Sequence, residues 1–109
     1  MELLIQSFDA PKGVKWCNKK FKSENYFSIA TYGIKDNDAY IRLSQTGRTV
    51  GPHRHVYFRI PNFRDVTIND LFLFVYNNCD SSDCYPLGRN FEDAVMELHG
   101  LGMRFNRWR

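Results

Sequence analysis

HRHVYFRI, residues 53–60, decides the fold. Its side chains alternate: Val56, Phe58 and Ile60 are apolar, and His55, Tyr57 and Arg59 stand between them. Period two is the signature of a strand with one buried face. Pro61 closes the run, because proline cannot donate to a sheet ladder. AYIRLSQ, 39–45, alternates in the same way, with Ala39, Ile41 and Leu43 on one face and Tyr40 and Arg42 on the other. YFSIATYGI, 26–34, is aromatic and β-branched and predicts a third strand. The KDND stretch after it has turn chemistry. ELLIQSF near the start is a plausible first strand. APKGVKWCNKKFKSEN is a basic connection with weak helical periodicity.

The period then changes. Ile68, Leu71, Phe72 and Val75 recur at helical spacing, with Thr67 as N-cap and Asp70 in the first turn. A strand is the rival reading there, since Leu73, Phe74 and Tyr76 make the run apolar all round. Phe91, Ala94, Val95 and Leu98 form a second helical stripe, with Asn90 as cap and Gly100 as terminator. The expected fold is α+β, an antiparallel sheet of three to four strands with two helices packed on one face.

Length and composition agree. The chain has 109 residues, which predicts one domain, 1–109, large enough for a core without staples. Nine Phe, six Tyr and two Trp against four Ala favour a sheet over a helical bundle. No run approaches the roughly 20 apolar residues of a membrane span. The opening residues lack a basic leader, and three cysteines make no disulfide framework, so a cytoplasmic protein is expected.

The net charge of +3 is unevenly spread. Residues 10–23 carry five lysines and no acid, and 39–64 carry five arginines and no acid. Residues 65–97 carry seven acids against Arg89 alone, and 98–109 carry three arginines. Segregation of this kind predicts a molecule with a basic side.

The pair His53 and His55 shares a strand face. It resembles the metal motif of rolling-circle replication endonucleases over residues 53–55. That resemblance implies a metal-dependent single-strand DNA nuclease with a helix-borne tyrosine. Arg54 departs from the apolar middle residue of the motif and would repel a cation. Tyr76 is the only helical tyrosine, and no lysine follows Lys35. Cys79, Cys84, His99 and Cys17 offer zinc ligands, but only one cysteine pair occurs and four residues separate it. No nucleophile elbow or glycine-rich phosphate loop is present. Neither cofactor nor metal is expected.

The strongest constellation is the face opposite the apolar stripe. Tyr40, Arg42, His55, Tyr57 and Arg59 would cluster there, extended by Tyr26 or Tyr32 according to register. Arginines interleaved with aromatic rings suit phosphates and bases, or a protein hot spot. The basic tail adds Arg104, Arg107 and Trp108. The expected function is a small non-enzymatic binding protein that engages nucleic acid or an acidic protein surface. Its compact, motif-poor chain and its Ala-poor, Asn-, Phe- and Tyr-rich composition fit a phage or mobile-element protein. Such proteins include anti-CRISPR-type inhibitors that occlude a host nucleoprotein complex.

Overall fold

The computed structural model describes residues 3–24, 27–45, 54–78 and 88–105. His53, Tyr26, Cys79, Cys84, Arg107 and Trp108 lie outside the described residues.

The fold is α+β. Its sheet is antiparallel and has six strands among the described residues, not three to four. They are β1 (Ile5–Ser7), β2 (Lys15–Trp16), β3 (Phe21–Lys22), β4 (Ile29–Lys35), β5 (Asp38–Ser44) and β6 (His55–Ile60). The spatial order is β1-β6-β5-β4-β2, and β3 also pairs with β4. The extra strands come from the basic connection. Two-residue ladders carry no readable alternation, so β2 and β3 could not be seen by periodicity.

The long strands form as their pattern demands. Asp36 takes a φ of 55° in the two-residue turn between β4 and β5, a conformation aspartate tolerates. Ile41 pairs with Phe58 and Leu43 with Val56, and all four are buried. Tyr32 pairs with Ile41 and packs against the same core, so it cannot extend the opposite face.

Two helices follow, α1 (Ile68–Asn78) and α2 (Arg89–His99). Thr67 caps α1: its hydroxyl accepts the Asp70 amide at 3.0 Å. The next orphan amides, of Ile68 and Asn69, donate to the carbonyls of Arg104 and Phe105 at 2.7 and 2.8 Å. The C-terminal segment therefore closes this helix end. The apolar run is helical because Ile68, Leu71 and Val75 bury one stripe, while Leu73 and Tyr76 face solvent.

The start of α2 departs from expectation. Gly88 is the N-cap, and Asn90 lies inside the first turn, fully buried. Its amide nitrogen donates to the Phe27 carbonyl at 2.8 Å, tying the helix to the residues before β4. Its Oδ1 accepts the Phe91 amide at 2.9 Å, so both ends of the buried side chain are satisfied. At the other end Gly100 keeps a helical φ of −68°, and Gly102, at φ 118°, makes the reversal.

α2 lies against β3, β4 and β5. Phe91 meets Phe58 of β6 edge to face, centroids 5.9 Å apart. Lys19 reaches Glu97 of α2 at 2.6 Å. Val95 is fully buried in this layer. Val95→Asp is expected to cost more than about 3 kcal/mol by placing an unpaired charge in the core. Denaturant melts measure it, and an unchanged midpoint contradicts this packing.

Candidate functional site

The outer face of the sheet is set by one crossing. β1 pairs with the free edge of β6 and β2 with the opposite edge, against β4. Four strand spacings separate them, about 19 Å, and seven residues reach about 24 Å when extended. Residues 8–14 therefore have little slack; they bend at 8–9 and 12–13 as they cross the face. Asp9, Ala10 and Pro11 share a cleft with Tyr40, Tyr57 and Arg59. Val14 and Trp16 lie against Gly33.

Gly33 permits this approach. A Cβ there would stand 2.5 Å from Val14 Cγ1, 2.8 Å from Trp16 Cε3 and 2.9 Å from the Lys15 carbonyl. Glycine inside a strand often marks such close contact. Trp16 then bridges outward: its ring is 6.2 Å from that of Tyr57, and the Arg42 guanidinium sits over it at 5.3 Å. Gly33→Ala is expected to cost about 1–3 kcal/mol by overpacking, measured by thermal or denaturant unfolding. Wild-type stability would show that Trp16 yields freely.

The crossing runs from Ser7, opposite Tyr57, toward Lys15, opposite Ile34. It covers the end of the face nearest the β4–β5 turn. Tyr40 and Tyr57 are only 9% exposed as a result. They stand on the expected face, but not as an open aromatic surface. Arg59 remains exposed, 3.9 Å from the Asp38 carboxylate.

The other end stays open and basic. Lys20, Ile29, Arg42, Ser44, Gln45, Arg54 and His55 line a cleft of about 440 Å³. None of these residues is acidic. The Thr31 hydroxyl donates to the Lys19 carbonyl at 2.9 Å, which pins the β2–β3 link beside the cleft. The Gln45 amide donates to the Arg54 carbonyl at 3.1 Å and extends the ladder to the mouth. Arg42 Nε is buried and has no hydrogen-bond partner among the described residues. Stacking on Trp16, not a carboxylate, holds this cation in place.

His55 sits 2.7 Å from the Ser44 hydroxyl through Nδ1. Burial, then Arg42, then Arg54, push its pKa below the usual 6.5. The same two cations oppose a divalent metal at this ring. Arg104 lies apart, in the segment that closes α1. Trp16, Lys20, Ser44 and Arg54 were not among the expected site residues. The lone glycine within the 26–34 strand was the available signal for the first of them.

Comparison with protein-family models, curated proteins and solved structures found no match to the chain. No helix among the described residues is long and apolar enough to cross a membrane.

The His55 shift makes stability depend on pH. The unfolded imidazole binds its proton more readily than the folded one. As pH falls below about 6.5 and on through the folded value, the unfolded state takes up more protons and stability is lost; above that window the contribution is complete. His55→Gln is expected to flatten this part of the profile in melts between about pH 5 and 7. A variant with the wild-type slope contradicts the assignment.

Proposed function

We propose that this protein is a non-enzymatic binding protein that grips a polyanionic partner, nucleic acid or an acidic protein surface, at the open end of the sheet's outer face. The observation that carries the reading is the cleft of Lys20, Arg42, Arg54 and His55, which no described acid lines. Cations gathered without counter-charges repel one another, and an anion relieves that cost. Arg42, fixed over Trp16, has already lost the freedom that binding would otherwise remove. In this reading both helices cover the opposite face of the sheet and leave this one to a partner. The biological role that fits is occlusion of a host nucleic-acid machine by a phage or mobile-element inhibitor of the anti-CRISPR type, acting in the host cytoplasm. Arg59, and the tail residues Arg104, Arg107 and Trp108, would add peripheral contacts.

Lys20 and Arg54 are exposed, so their removal spares the fold. For a fluorescent single-stranded DNA, Lys20→Ala/Arg54→Ala is expected to weaken binding by about 1–3 kcal/mol in all. It should also lower the log–log salt slope by about 1.4, since each single-strand phosphate contact contributes about 0.7. Fluorescence anisotropy across a salt series measures both. Unchanged affinity and slope would place any nucleic-acid contact elsewhere.

A further inference from the structure

We propose that the second cleft, between residues 9–11 and the sheet, is a nucleobase subsite, so that the ligand is a single-stranded nucleic acid held by one base and its neighbouring phosphate. The proposal rests on the polyanion-binding reading and names the ligand class.

The cleft measures about 320 Å³. Ligand sites run upward from about 300 Å³, so it suits one flat group and not a base pair. Tyr40, Tyr57, Ala10 and Pro11 supply apolar wall, and Asp9 and Arg59 supply an acceptor and a donor. Asp9 makes the cleft wrong for a phosphate. A hydrocarbon ring would make no use of the Asp9 carboxylate or the Arg59 guanidinium. A base edge carries donors and acceptors side by side and meets both; aspartate accepts from an exocyclic amine such as that of cytosine.

Position supports the same conclusion. The Tyr57 ring, in the wall of this cleft, is 6.1 Å from the His55 ring in the wall of the basic one. The two residues are neighbours on one face of β6, about 7 Å apart along the strand. A base and its phosphate are separated by a comparable distance. A base seated against the apolar wall of one cleft and charge neutralisation in the other are the two components of single-strand recognition.

The test compares three probes of matched charge by anisotropy at low salt: a dC octamer, an abasic octamer, and an acidic tyrosine-containing peptide. The dC octamer is expected to bind about tenfold more tightly than the abasic one. Asp9→Ala, at an exposed position, and Ala10→Phe, which fills the cleft, are each expected to cut that preference by about threefold or more without weakening abasic binding. Equal binding of both octamers, lost in Lys20→Ala/Arg54→Ala, would overturn the base subsite and leave the polyanion reading standing. Tighter binding of the peptide than of the dC octamer would overturn it in favour of a protein ligand. Binding of none of the three would overturn both readings.

Discussion

The close passage of Trp16 over Gly33 is the constraint on which the rest of the outer face depends. An antiparallel sheet with both edges taken by one N-terminal segment must be crossed by the link between them. The link has little spare length, and it needs a place without a side chain where it reaches the far edge. Gly33 supplies that place. Once Trp16 lies there, its ring reaches Arg42 and Tyr57, residues of the two central strands. One contact thus joins an edge strand to the middle of the sheet and sets the position of a cation.

The two faces of the sheet follow different rules. On one, Ile41, Leu43, Val56 and Phe58 pack with Phe91, Val95 and Leu98, and burial of apolar area holds them. On the other, polar side chains are layered under a strap at one end and left open at the other. The covered end holds mixed apolar and polar groups, and the open end holds cations without described acids. Charge segregation along the chain therefore persists in space at this point. Asp70 sits on α1 and Glu92, Asp93 and Glu97 on α2; of these Glu97 reaches Lys19 while Asp93 pairs with Arg89 on its own helix. Neither compensates the cleft.

Legibility from sequence tracked element length. The strands at 39–45 and 53–60 and the helices at 68 and 90 repeat their periods often enough for the buried face to be read residue by residue. The inward residues of both central strands and the stripe of α2 are those that alternation and helical spacing identify. Short ladders were not legible, because β2 and β3 have two residues each. Asn90 was misread for a related reason: an asparagine before an apolar stripe is ordinarily a cap, and only the proximity of the Phe27 carbonyl, 63 positions away, makes burial favourable instead.

The candidate site divides along the same line. Tyr40, Arg42, His55, Tyr57 and Arg59 share a face because side chains alternate along a strand, a local rule that the amino-acid order alone determines. Which of them meet solvent was decided by tertiary structure. The 8–14 segment shields Tyr40 and Tyr57, and the β2–β3 link brings Lys20 to Arg42, Arg54 and His55. Tyr32 was turned to the core by its pairing with Ile41, a matter of register. Covering, register and the gathering of distant cations depend on where the chain passes over itself, and no periodicity in one segment encodes the path of another.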